Sequence, residues 1–286
     1  ILYRKGKNIM INVKPFALLD EHHDADHHRC VLTFAGNPDA LAKATFNVVK
    51  TATELIDLRE HIGQHPRIGT TDVLPFIPLQ GSTMKDCIKL ARQVGARIGN
   101  ELQIPVFLYE ESCEQLKRKS LEVIRRGGLK ELTLRMKTDG VWAPDFGPPE
   151  PHYTAGVIVV GARYPLIACN VVLGTSNFSN AMYIAKKIRT SGGGLPALKA
   201  LGLEMQSEGY VQVSMNLTNF HQTSIPIAFE AVKQEAERRG VTVEKSEVIG
   251  LIPEEAAIQV DGSDIQFDWL KKDKTLEYHM RQSFEL

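Results

Sequence analysis

The sequence has no excess of either charge. Lys and Arg number 34, Asp and Glu number 34, and the formal net charge is zero. A nucleic-acid binder working through a whole-body positive field is thereby excluded, and only a local basic patch stays open. Long apolar runs are missing as well. The most apolar stretch, Ala155 to Gly174, is broken by Arg163 and Pro165, so it reads as two buried strands around a turn and not as a membrane span. Cysteine is scarce: Cys30, Cys87, Cys113 and Cys169 form no C-x-x-C pair and no tight framework. That spacing points to a reduced, cytoplasmic chain. The opening Ile1-Leu-Tyr-Arg-Lys-Gly-Lys does not read as a secretory leader, because no apolar run follows its basic groups.

What is present suits a soluble globular protein. Apolar residues make up 43% and charged residues 24% of 286 positions. This length predicts one large or two modest domains with a sizeable core. The second half is the clearer. Tyr164 to Leu173 is an apolar run of strand length. Ser179 to Arg189 has helical spacing through Met182, Ile184, Ala185 and Ile188, and stops at Ser191-Gly192-Gly193-Gly194. Leu198 to Leu203 and the alternating Tyr210 to Leu217 predict strands. A helix is expected over Ile225 to Arg239, with Ile227, Ala228, Ala231 and Val232 inward and Gly240 as its cap, then a last strand over Val241 to Ile249. Trp269 to Phe284 reads as one more amphipathic helix.

The first half repeats this order loosely. Val31 to Ala35 predicts a strand. Asn37-Pro38 offers an N-cap followed by proline at the first helical position, and the helix runs towards Leu58 with Leu41, Val48, Leu55 and Ile56 inward. Thr70 to Leu79 is extended and proline-marked, Ser82 to Leu102 is helical, and Ile104 to Tyr109 is a strand. The expected fold is α+β, with two split βαβ units, residues 1–162 and 163–286, each with helices over one face of a sheet. The Trp142-Ala-Pro-Asp-Phe-Gly-Pro-Pro-Glu-Pro-His-Tyr stretch near their junction is too proline-rich for a helix and too aromatic for a floppy linker, so it predicts a stiff ordered loop.

Two stretches are unusual. The first, Asp20-Glu-His-His-Asp-Ala-Asp-His-His-Arg-Cys30, crowds His22, His23, His27 and His28 among Asp20, Asp24 and Asp26. These are more ligands than zinc needs, yet neighbouring residues in an extended segment point in different directions, and no metal is expected. The second is Gly63-Gln-His-Pro-Arg-Ile-Gly-Thr-Thr-Asp72. Pro66 keeps His65 out of the α region, and a histidine on a stiff turn beside Arg67 suits general acid–base work on an anionic substrate. A helix-capping role for His65 explains the same residues, and the residues alone leave the two readings open.

"GQHPRIGTTDVLPFIP" resembles the signature of the formiminotransferase domain family, and "WAPDFGP" resembles its second signature. "LLD…R…TFAG" and "VSMNLTNF" fall in matching order, so the resemblance runs from about Ala17 to the C-terminus, whereas Ile1 to Lys14 lacks the family's usual opening motif. The resemblance implies two ferredoxin-like subdomains with the active site in the cleft between them. It implies transfer of the formimino group from N-formimino-L-glutamate to N5 of tetrahydrofolate, in histidine breakdown and one-carbon metabolism. His65 matches the family's catalytic histidine. The folate-contacting segment matches Gly147 to Gly156, where Pro148, Pro149 and Pro151 shape the backbone, Glu150 supplies an acid, and His152 and Tyr153 supply rings ahead of Thr154 and Ala155.

Both substrates carry carboxylates, so Arg29, Arg67 and Arg163 are candidate clamps, each with a structural ion pair as the alternative. Asp72 is expected to orient His65 or Arg67. Asp20, His22 and Arg29 are expected to form a polar substrate loop. Such an acyl-like transfer uses tetrahydrofolate as co-substrate and calls for no metal, nucleic acid or membrane. A homodimer is the family's frequent state. No cyclodeaminase domain is read in the chain. A formyltransferase of the same fold and a non-catalytic folate-binding relative are the rival readings.

Overall fold

The computed structural model describes residues 2–3, 15–24, 28–61, 67–79, 81–205, 209–260 and 272–284. The chain separates into two compact units, Ile1–Arg163 and Tyr164–Leu286.

In chain order the first unit contains β1 (Leu2–Tyr3), β2 (Phe16–Asp24), β3 (Arg29–Gly36), α1 (Pro38–Leu55), β4 (Val73–Pro78), α2 (Met84–Leu102), β5 (Val106–Glu110), α3 (Leu121–Arg125), α4 (Gly128–Thr138) and β6 (Ile158–Ala162). The helices begin where the local chemistry directs. Asn37 accepts a hydrogen bond from the Ala40 amide at 2.9 Å with Pro38 at the first helical position. Thr83 and Asp86 form a reciprocal capping box at the start of α2.

The main sheet has the order β1-β4-β6-β5 and its neighbours are parallel, while β2 and β3 form a separate antiparallel hairpin. β4, α2 and β5 make a split βαβ, with β6 inserted between the two strands. Val106 and Leu108 point into a core with α1 and α2, and Phe107 and Tyr109 point into a second core with Ile124, Leu132 and Trp142. Both faces of this sheet are thus covered, and β5 and β6 are buried at nearly every position, as parallel strands between two layers must be. The sequence predicts helices on one face only. The second layer comes from α3 and α4, which have no counterpart in the sequence reading, because their charged residues dilute an apolar stripe of Ile124, Leu132 and Met136. Leu55, expected inward, is 79% exposed, since α1 buries Leu41, Thr45, Phe46 and Val49 and its last turn passes the edge of that face.

The second unit contains β7 (Ile167–Leu173), α5 (Phe178–Ile188), β8 (Leu198–Met205), β9 (Tyr210–Leu217), α6 (Ile225–Glu237), β10 (Val243–Ile249), α7 (Glu254–Ile258) and α8 (Leu276–Phe284). Its sheet runs β10-β7-β9-β8 with every pair antiparallel, the fourth-first-third-second order of a ferredoxin-like split βαβ. The alternation in β9 sends Val211, Val213, Met215 and Leu217 into a core shared with α5 and α6. Ala181, Ile184, Ala185 and Ile188 set the phase of α5, which turns Met182 outward. Ile227 on α6 is exposed for the same reason, with Ile225, Ala228, Phe229 and Val232 inward. The fold is α+β with two split-βαβ subdomains of ferredoxin-like type. The start of the helix expected from Trp269 lies outside the described residues, as does most of Ile1 to Lys14.

Candidate functional site

The Gly63–Asp72 stretch and the Gly147–Gly156 segment meet at a pair of glycines. Gly69 and Gly156 form an antiparallel bridge. The Val157 amide donates to the Ile68 carbonyl at 3.0 Å, and the Thr70 amide donates to the Ala155 carbonyl at 3.0 Å. No side chain fits there: a Cβ on Gly69 would lie 1.8 Å from the Val157 carbonyl oxygen, and one on Gly156, at φ +71°, 2.3 Å from that of Ile68. Upstream, the Leu58 amide donates to the Thr154 carbonyl at 2.9 Å. The chain between Leu58 and Thr70 therefore leaves the 147–156 loop at Thr154 and returns to it at Ala155. His65 is in that interval, and residues 62–66 lie outside the described residues.

The loop itself is self-braced. His152 and Gly156 exchange backbone hydrogen bonds at 2.9 Å each, and His152 Nδ1 accepts from the amides of Thr154 and Ala155 at 3.3 and 3.1 Å. The neutral ring consequently carries its proton on Nε2. The backbone amides of His152, Thr154, Ala155 and Gly156 are spent inside the turn. Glu150 and Tyr153 are exposed. The Arg59 guanidinium lies 4.0 Å from the centroid of the Tyr153 ring and covers one face of this exposed side chain. Asp57 holds Arg59 through its Nε at 2.9 Å, and this hydrogen bond depresses the Asp57 carboxyl to about 2.

Below the loop, the aspartate of the Trp142-Ala-Pro-Asp145 motif is structural. Arg118 is buried and pairs with both Asp145 oxygens at 2.8 and 3.0 Å, while the Leu108 amide donates to Asp145 Oδ2 at 2.7 Å. Arg118 Nε also donates to the Val141 carbonyl at 2.9 Å. Asp145 thus ties β5 to the loop's entrance. Arg135 caps the end of α3, donating to the carbonyls of Val123, Ile124 and Arg126, with Trp142 stacked 3.9 Å from its guanidinium carbon. None of these arginines stands out in the sequence, where each reads as one more surface charge.

Asp72 has both oxygens engaged: Oδ1 accepts the Ile68 amide at 2.7 Å and Oδ2 pairs with Arg125. It shapes the turn before β4 through those partners; of the two residues it was expected to orient, His65 lies outside the described residues. Arg67 Nη1 donates to the His28 carbonyl at 3.1 Å, joining this segment to the tip of the hairpin. There His28, at φ +49°, stacks on His61 with ring centroids 4.2 Å apart. Burial holds His61 below the ordinary histidine range, helped by His28 and Arg67.

Asp20 and His22 sit within β2, and Arg29 begins β3, so what was expected as a loop is a strand pair. Alternation puts Asp20 and His22 on one face and Glu21 and His23 on the other. One Asp20 carboxylate oxygen is buried without a hydrogen-bond partner, as a polar group lining a ligand site would be. Arg163 is placed elsewhere. It follows the last residue of β6, while Gly156 lies two residues before the first, a separation of roughly 23 Å for seven extended residues. Burial pushes the Tyr109 hydroxyl above its ordinary range, and the charge of Arg163 opposes that shift. Among the described residues no helix is long and apolar enough to cross a membrane.

Known proteins carry the same pattern. The family model "Formiminotransferase domain, N-terminal subdomain" matches residues 5–163, and "Formiminotransferase domain" matches residues 168–280. A glutamate formimidoyltransferase of Streptococcus pyogenes serotype M1 is 44% identical over 266 residues, covering 92% of this chain and 88% of its own. One from Thermoplasma acidophilum is 40% identical over 278 residues, covering 97% and 91%. The formimidoyltransferase-cyclodeaminase of Dictyostelium discoideum is 39% identical over 248 residues, which are 84% of this chain and 46% of that longer protein. With both units matched and two relatives aligned nearly end to end, the chain belongs to the formiminotransferase domain family.

Proposed function

We propose that the chain is a glutamate formimidoyltransferase, moving the formimino group of N-formimino-L-glutamate to N5 of tetrahydrofolate, with His65 as general acid and base. The observation that supports this reading is the Gly69–Gly156 contact. It fastens the segment bearing His65, at Leu58 and at Thr70, to the loop that matches the family's folate segment. In the reaction the N5 lone pair attacks the formimino carbon and a tetrahedral intermediate forms. Neutral His65 takes the N5 proton as that bond is made. It then gives the proton to the glutamate nitrogen as the old C–N bond breaks, releasing glutamate as an amine. Holding two substrates side by side supplies much of the remaining rate.

The open face of Tyr153 stacks the planar part of folate, and Arg67 and Arg29 meet substrate carboxylates from beside the hairpin. Asp20 offers its buried oxygen to a donor on the glutamate moiety. Both substrates are small molecules, and the zero net charge is in keeping with them. The compartment is the cytoplasm, in line with four free cysteines.

The test measures glutamate released from N-formimino-L-glutamate with tetrahydrofolate. The unmodified chain should turn over, and His65→Ala should lower kcat by ~100-fold or more. Absence of release from the unmodified chain overturns the activity, and normal turnover in His65→Ala overturns the role of His65.

A further inference from the structure

The face of the β2–β3 hairpin turned away from Asp20 and His22 carries three different donors in one place. His23 pairs across the strands with Cys30, and Glu21 lies two residues along on the same face. His23 Nε2 and Glu21 Oε1 are 2.5 Å apart, and the imidazole nitrogen, the thiol sulfur and a carboxylate oxygen all lie within 4.8 Å of one another. This set differs from the histidine–aspartate crowd that the sequence displays. It needs Cys30 from the opposite strand, and only pairing brings that residue in.

We propose that Glu21, His23 and Cys30 bind one zinc-class divalent cation, with water in the fourth position. The donor chemistry selects the ion. Thiolate with imidazole and carboxylate suits Zn²⁺ and disfavours Mg²⁺ and Ca²⁺, which take oxygen ligands. Geometry permits it. Tetrahedral bonds of about 2.0 Å to nitrogen and oxygen and 2.3 Å to sulfur put ligand atoms roughly 3.3 to 3.6 Å apart. Side-chain rotations that move the ligand atoms by about 1 Å achieve this in the existing strand register. All three residues are exposed, so an ion enters without opening the fold. Binding converts the Cys30 thiol to a thiolate and releases its proton to solvent. The bound ion clips β2 to β3 and stiffens the strand that carries Asp20 and His22 on its other face.

The test is a Co²⁺ titration of the full chain under a non-chelating reductant, followed by displacement with Zn²⁺. The expected result is a thiolate-to-cobalt charge-transfer band that saturates at one ion per chain and is retained in Cys113→Ser. The band should be lost in Cys30→Ser, and Zn²⁺ affinity should fall by at least about tenfold in His23→Ala. A second measurement needs no variant: Zn²⁺ should protect Cys30 of the unmodified chain from iodoacetamide, read by peptide mass spectrometry. Binding with no thiolate band, or binding unchanged in Cys30→Ser, means that the neighbouring histidines hold the metal adventitiously and overturns the site. Absence of binding, or equal alkylation of Cys30 with and without Zn²⁺, overturns it too.

Discussion

Gly156 and Gly128 share a left-handed backbone, at φ +71° and +70°, but only Gly156 abuts another carbonyl. Alanine at Gly128 should cost only the conformational term, ~1–2 kcal/mol. Gly156→Ala adds a collision with Ile68, so it should be the more destabilising in a denaturant melt and should weaken tetrahydrofolate binding as well. Arg118 tests a different physics. Arg118→Met leaves the Asp145 carboxylate largely enclosed without its partner, and the expected loss is ~3–5 kcal/mol, read as a lowered unfolding midpoint. These residues also mark how much of the site the sequence discloses. The glycines and prolines around His65 and Pro149 are legible because only special residues tolerate such backbones. Arg118 is not, because a buried arginine and a solvated one look alike until Asp145 is brought to it from 27 residues away.

Element boundaries follow local chemistry where that chemistry is one-sided. Asn37-Pro38 starts α1 as predicted, and the helix expected from Ser82 starts at a Thr83–Asp86 capping box. The hairpin is less legible, since the polar second half of β2, from Asp20 to Asp24, reads as a loop when β3 is not there to pair with it. α3 and α4 escape notice because two short helices share one apolar stripe. The hairpin's tip meets the turn after α1 through the His28–His61 stack, and this contact should depend on pH. Burial, His28 and Arg67 lower His61 below its ordinary value, while Glu60 and Asp57 oppose them. In the window between the folded value and the ordinary value of about 6.5, the unfolded chain binds more protons, so stability falls as pH drops. Melting temperatures taken from neutral to mildly acidic pH should decline, and His61→Asn should flatten that decline.

At the scale of the molecule, among the described residues each hydrophobic core is built from one unit: one from the second unit, two from the first. Residues 164–286 contain all four strands and both helices of a complete ferredoxin-like layer. Expressed alone, they should unfold cooperatively, as followed by circular dichroism. The paired glycines of the first unit carry a consequence in time. Gly69 and Gly156 are separated along the chain by β4, α2, β5, α3 and α4, so their bridge closes a long loop whose entropy must be offset by contacts already made. The 147–156 loop and the Gly69–Thr70 backbone that pairs with it are then expected to be the last parts of the first unit to acquire protection. In pulse-labelled hydrogen exchange during refolding, the Thr70 and Val157 amides should stay open to solvent after those of α2 have closed. A ribosome-bound chain that ends before Val157 lacks β6, the strand that joins β4 to β5, so neither the sheet nor the glycine contact can close until that strand has emerged.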